Sequence, residues 1–225
     1  MSDVSRHAGG STQGVRYASA LPWNAPNERE RTRMNDARQA PTTLAPGPWV
    51  LASLILVAAL SRLLPHPPNF SPVEAIALFG GAFFASRALA LLVPLGAMLV
   101  ADVALGLVHG SLYSGWIGSG GFWLVYLCIA ASVVLGFGLR GRAGAGRVLG
   151  YGLAGSVLFF VVTNFGAWLA SPAYAPTGAG LLQAYVAGIP FFQWTVLGTL
   201  AYAALLFGGF ALLRARLPVL RAATV

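Results

Sequence analysis

The sequence predicts an all-α, polytopic integral membrane bundle of about six transmembrane helices, with the N- and C-termini both on the cytoplasmic side. Three observations carry this. Of 225 residues, 57% are hydrophobic and only 9% charged, whereas a soluble domain keeps roughly a quarter of its residues charged. Half of the charged side chains fall in residues 1–47, which leaves the rest of the chain with eight Arg, one Glu and one Asp. Those arginines recur on alternate connections between apolar stretches, the pattern that fixes orientation in a membrane.

Residues 1–47 are rich in Arg, Ser, Thr, Asn, Gln and Pro without apolar periodicity, and read as a disordered cytoplasmic tail. The segment is too polar for a signal peptide, and Met34 is a plausible alternative start. After the Pro46-Gly47-Pro48 break come six apolar stretches, at 49–64, 72–86, 88–108, 119–139, 148–169 and 186–214. They make up a transmembrane domain of residues 48–216, followed by a short cytoplasmic tail at 217–225. A lipid-facing span needs about 20 apolar residues. The second stretch falls short of that and is expected to be a central or partly re-entrant helix. Pro94 is expected to kink the third stretch, and Pro190 lies near the outer end of the sixth.

Arg87 follows the second stretch; Arg140, Arg142 and Arg147 follow the fourth; Arg214, Arg216 and Arg221 follow the sixth. The connections at 65–71, 109–118 and 170–185 hold no Arg or Lys. The positive-inside rule then orients the chain in a bacterial cytoplasmic (inner) membrane. All 14 basic residues are Arg, and the net charge is +8. In a soluble chain that charge would suggest nucleic acid. Here the basic groups sit at helix ends, so the expected partner is the lipid bilayer and not nucleic acid. Cys128 lies mid-membrane and reads as a small buried hydrophobe.

With that orientation, most residues able to do chemistry fall toward the outer face. Arg62 ends the first stretch, His66 and Asn69 follow in the first outer loop, and Glu74 opens the second stretch. Asp102 sits about 9 Å below the outer end of the third, with His109, Tyr113 and Trp116 beyond it. Asn164 and Trp168 end the fifth, Tyr174 lies in the third loop, and Tyr185, Gln193 and Trp194 stand at the top of the sixth. Asp102 and His109, seven apart, share a helix face. Glu74 shares one with Ala77, Gly81 and Ala85, a row of small residues that lets another helix approach, so Glu74 is expected to point into the bundle.

Ionisable groups inside a membrane are costly and are usually paired or functional. One reading is a structural ion pair of Arg62 with Asp102 or Glu74; another is a polar pocket open to the outside, and the two are compatible. His66, His109, Asp102 and Glu74 are metal-ligand types but lack a local ligand spacing, so no metal or cofactor is expected. Trp116, Trp123, Trp168 and Trp194 gather in the outer half, either as an interfacial belt or as pocket walls. Gly118-Ser119-Gly120-Gly121 resembles a serine-protease turn, but no His in a later helix could serve as base. Phosphate-loop, His-Glu-x-x-His and CxxC motifs are absent, and the chain does not read as an enzyme.

The run Arg62-Leu63-Leu64-Pro65-His66-Pro67-Pro68-Asn69-Phe70-Ser71-Pro72-Val73-Glu74-Ala75-Ile76-Ala77-Leu78-Phe79-Gly80-Gly81 resembles the signature of an uncharacterised bacterial multi-pass membrane family. Thr163–Leu169 and Ile189-Pro190-Phe191-Phe192 resemble its later motifs. More distantly, the six-helix plan and the Asn-Phe-Ser-Pro-Val-x-Ala stretch are similar to the substrate-binding S subunits of energy-coupling-factor vitamin transporters. That resemblance implies an outer small-molecule pocket and a cytoplasmic energising module, or another membrane subunit, as partner. The first stretch departs from it, since Ala52, Ala58 and Ala59 do not form the Ala-x-x-x-Ala docking row.

The prolines of the first outer loop (Pro65, Pro67, Pro68, Pro72) bias it toward stiff, extended geometry, which suits a pocket rim or a plain rigid turn. The leading expectation is therefore a small-molecule-binding transporter component with a pocket open to the outer face. Its site would draw on Arg62, His66, Asn69, Glu74, Asp102, His109, Asn164, Trp168, Tyr174 and Gln193. The alternatives are a structural or assembly subunit, packing through the small-residue faces of the second and third stretches, and a cation or proton pathway through Asp102.

Overall fold

The structure, a computed structural model, describes residues 27–28, 46–110, 113, 115–217 and 220. Apart from Asn27, Glu28, Pro46 and Gly47, the expected N-terminal tail lies outside the described residues, and so does Met34. All regular structure among the described residues is helical.

Helix α1 (Pro46–Leu60) opens on a proline, whose fixed φ suits a first helical position. It closes in a 3-10 turn at Ser61–Leu63, because Pro65 forces Leu64 into extended geometry. Helix α2 (Val73–Phe83) starts directly after Pro72. Helix α3 (Arg87–His109) is capped by Ser86, which accepts from the Leu89 N–H at 3.3 Å. Helix α4 (Gly120–Gly136) is capped in the same way by Ser119, and runs on through a 3-10 turn at Phe137–Leu139. Helix α5 spans Ala145–Ala170. Helix α6 (Gly178–Ala203), capped by Thr177, continues through a π-helical segment at Ala204–Gly208 into α7 (Gly209–Arg216).

Four of these runs are long and apolar enough to cross a membrane: Arg87–His109, Gly120–Leu139, Ala145–Ala170 and Gly178–Arg216. The other two apolar runs, Gly47–Leu63 and Val73–Phe83, are shorter. The sixth helix begins eight residues before the expected start at 186, since Thr177 supplies a cap that apolarity alone does not reveal. Beyond residue 216 the structure describes Leu217 and Leu220, and Leu220 is buried in the core.

Every residue of α2 is buried, so this helix is the axle of the bundle. Its small residues bring α4 close: a methyl at Gly81 would collide with the Val133 carbonyl oxygen, and one at Gly136 would lie 2.6 Å from the Leu78 carbonyl oxygen. Its C-terminal carbonyls would be orphaned in an apolar core. Arg140 answers this by donating to the Gly81 oxygen at 3.0 Å and to the Phe84 oxygen at 2.9 Å, while its guanidinium stacks over Phe137. Around the same end Phe79, Phe83, Phe207 and Phe210 pack edge-on and tilted at 4.8–5.5 Å. By the alternation of the helices, the Arg87 and Arg140–Arg147 connections belong to this arginine end, and the 64–72 and 171–177 connections to the opposite one.

Candidate functional site

Two buried carboxylates organise the interior, and their surroundings differ. Asp102, on the inward face of α3, accepts three hydrogen bonds: from Arg62 Nη1 at 2.6 Å and Tyr113 at 2.8 Å on Oδ1, and from Tyr126 at 2.9 Å on Oδ2. Arg62 also donates to the Tyr113 hydroxyl at 3.2 Å. Charge and lone pairs are thus answered together, which a buried ion pair requires if it is to persist. Burial, opposed by Arg62 and reinforced by Asp102, pushes the Tyr113 phenol above its ordinary range. The expected ion pair therefore exists, with Asp102 and not Glu74 as its acid.

Glu74 is 2% exposed and lies inside the bundle, beside the middle of α5. A methyl built on Gly155 would sit 3.6 Å from both the Glu74 Cγ and the Ser132 Oγ. Gly155 lies roughly 15 Å from the Ala145 end of α5 and roughly 22 Å from its Ala170 end. The depth follows from α2 being only 11 residues long, so its N-terminus starts inside the bundle. The 64–72 connection reaches it beside α6, where both Ser61 and Phe70 meet Tyr202. Ser71 passes Gly198 of α6 so closely that a methyl there would lie 2.7 Å from the Ser71 nitrogen. Gly198 is about 30 Å along α6 from Gly178.

Around Glu74 stand hydroxyls. Thr199 donates to its Oε2 at 3.4 Å, and Ser156 donates to Thr199 at 3.1 Å. Ser71-Pro72-Val73-Glu74 has the spacing of a capping box, in which serine and glutamate satisfy each other's backbone N–H groups. No side-chain cap bond forms here. The Ser71 Oγ and the Glu74 Oε1 are instead buried without a hydrogen-bond partner.

Both groups line a cavity of about 220 Å3 whose walls also include Arg62, His66, Asn69, Asp102 and Thr195. A second cavity, about 280 Å3, shares Asn69, Trp116, Val125, Phe159 and Thr195 with it and adds Asn164 at its far side. Asn69 stands at the junction with φ 65°, a left-handed conformation that asparagine tolerates better than most residues. On the other side of Arg62 a third hollow, about 490 Å3, is lined by His66, His109 and Tyr113.

Of the residues expected at the site, Arg62, His66, Asn69, Glu74, Asp102 and Asn164 line the two adjoining cavities. His109 is exposed, bonded through Nδ1 to the Leu105 carbonyl, and faces only the third hollow. Trp168 and Tyr174 line none of the three cavities. The Trp168 indole N–H donates to the Ala175 carbonyl at 2.9 Å and ties down the α5–α6 turn. Gln193 is exposed on the outward side of α6. Two residues from the inward Thr195, it is turned by about 200° around the helix, and the earlier start of α6 removes it from the helix top. No three His, Cys, Asp or Glu side chains among the described residues converge as metal ligands.

Sequence reasoning missed Tyr126, Ser71 and the inward hydroxyls Ser132, Ser156, Thr195 and Thr199. The last four are 0–4% exposed. The signal was present in the i, i+4 pair Thr195/Thr199 and in Ser132 and Ser156, each four residues from a glycine (Gly136 and Gly152), small polar positions inside helices that are otherwise apolar.

Residues 42–220 match a family described as a family of unknown function (DUF6580). No curated protein and no solved structure matches the chain.

Proposed function

We propose, for a chain that belongs to the DUF6580 family, a membrane protein that binds a small polar or amphipathic solute in the two adjoining cavities, as the binding component of a transporter. In this reading all six apolar runs cross the bilayer with both termini in the cytoplasm, and the cavities open toward the outer face. The observation that carries it is the 64–72 connection. Non-helical backbone at membrane depth is tolerated where protein covers it or where it lines a water-filled cavity, and His66, Asn69 and Ser71 line a cavity. Half-length helices that start near the bilayer midplane are how many transporters build their sites. A bilayer core of about 30 Å fits α2 together with the connection that leads into it.

The solute would contact Asn69 at the junction, Asn164 at one end, and the Trp116 and Phe159 rings between. A cytoplasmic energising module or another membrane subunit would dock at the arginine end. There an apolar crevice of about 550 Å3, lined by Val148, Leu149, Leu200, Ala203, Phe207 and Ala211 among others, lies between α5 and the π segment. That crevice also favours the second reading, an assembly subunit without a ligand. The face for such packing would then be the crevice or α3, since α2 has no free face. A proton path through Asp102 is disfavoured by the three donors that already occupy it.

The test is a thermal-shift screen of the purified protein against small polar and amphipathic solutes, repeated with Asn69→Ala and Asn164→Ala. A solute that raises Tm in the parent and not in these variants supports binding. If no solute stabilises the parent, or if stabilisation is indifferent to both asparagines, the assembly reading takes its place.

A further inference from the structure

We infer that Glu74 and Ser71 form a binding site for a small monovalent cation, an alkali-metal ion or the ammonium head of an amine, at the floor of the cavity. The first ground is charge. Besides His66, the cavity wall holds three ionisable side chains: Arg62, Asp102 and Glu74. Arg62 and Asp102 neutralise each other at 2.6 Å, so the charge left without an internal counter-ion is the Glu74 carboxylate. An unpaired carboxylate so buried is strongly disfavoured and is neutralised by a proton or by a bound monocation; the next two grounds favour the cation.

The second ground is the pair of orphaned atoms. Glu74 Oε1 and Ser71 Oγ are buried with no partner, although their spacing would let them satisfy a capping box. Polar atoms left so in a helical core mark a place where something else supplies the contact. The α2 N-terminus does not argue for an anionic ligand instead. Glu74, in the first turn, is itself the negative group that the helix dipole favours.

The third ground is donor type. Thr195 lines the same cavity, while Thr199 and Ser156 stand behind the carboxylate and orient its Oε2. A set of one carboxylate and neutral hydroxyl oxygens suits a hard cation of single charge. A divalent ion would call for more carboxylates, and transition metals for imidazole or thiolate. This inference rests on the cavity reading above for its route of access, but not on the identity of the solute.

The experiment uses the full chain, purified in detergent at fixed pH and ionic strength, with Tm followed while choline is replaced by Na+, K+ or methylammonium. A saturable rise with at least one of them, whose midpoint moves up about tenfold or more in Glu74→Gln, is the expected result; tenfold corresponds to about 1.4 kcal/mol. A response to alkali ions assigns an ion site, and a response to methylammonium alone assigns an amine head. Ser71→Ala, which removes one ligand and no charge, should weaken the response as well and serves if Glu74→Gln does not fold. The inference is overturned if no cation acts, if pH alone acts, or if the response is undiminished in the variants. The solute screen is scored separately through Asn69 and Asn164: a solute shift without a cation shift defeats only this inference, and the converse defeats only the solute reading.

Discussion

Arg62 and Glu74 line one cavity, yet the Arg62 guanidinium is committed to Asp102 at 2.6 Å while Glu74 keeps one carboxylate oxygen without a partner. The first acid holds the fold together; the second is available. Removing either member of the satisfied pair should therefore act on stability. Asp102→Ala strands a mostly buried guanidinium and two tyrosine hydroxyls, and should cost about 3 kcal/mol or more. The paired apolar replacement Arg62→Met with Asp102→Leu should recover much of that loss. Chemical denaturation of the single and double variants measures it, and equal losses in the single and paired variants would contradict the ion-pair account.

Helix crossing gives a sharper contrast. A methyl at Gly81 meets backbone of α4, which cannot move aside as a side chain can, whereas Gly96 on the outward side of α3 has nothing within 4 Å. Gly81→Ala should lower stability by about 1–3 kcal/mol. Gly96→Ala should be neutral or stabilising by up to about 1 kcal/mol, from helix propensity. Melting of the two variants side by side decides it. A neutral Gly81→Ala would mean that α2 and α4 are not in contact there.

These residues show how much could be read beforehand. The small-residue row of Glu74, Ala77 and Gly81 and the shortness of the second stretch were enough to expect a central helix with an inward acid, because helical period and span length are local properties. The depth of Glu74 was not legible. Apolarity cannot reveal that the end of the 64–72 connection packs against α6, since that depends on Gly198 admitting the Ser71 backbone, a contact over more than 120 residues of sequence. Trp168 and Gln193 stand outside the cavities, which composition could not show either. Composition places an aromatic or amide near a helix end, but Trp168 is drawn to the Ala175 carbonyl in the turn, and the cap at Thr177 starts α6 so early that Gln193 lies well along it.

Trp168 offers a test of its place in the turn. Its indole N–H closes the α5–α6 turn on the Ala175 carbonyl, and the ring packs on Phe165 at 5.5 Å. Trp168→Phe should lose one hydrogen bond, about 1 kcal/mol, and keep the parent's response to solute and cation. A lost response at unchanged stability would return Trp168 to the binding site.

Topology can be checked through the single cysteine, which is buried. In a Cys128→Ala background, cysteines placed singly at His66, His109 and Ala175 should react with an impermeant thiol reagent added outside intact cells. Cysteines at Ser86 and Arg142 should react only after permeabilisation. The expectation follows from the arginine end facing the cytoplasm. Mixed labelling within either set would break the six-crossing arrangement.

Gly198 links the fold to the site. A methyl there would lie 2.7 Å from the nitrogen and 3.0 Å from the oxygen of Ser71, so the backbone of the connection itself must shift. The methyl of Gly188→Ala instead meets the Asn164 side chain, which can rotate away. Gly198→Ala should therefore displace Ser71 from Glu74 and reduce both stability and the cation response. Gly188→Ala should leave the cation response intact and alter only binding that involves Asn164. Cation titrations of the two variants separate these outcomes. If Gly198→Ala retains the parent midpoint, Ser71 is not held where the site needs it, and the carboxylate must find its counter-ion from another direction.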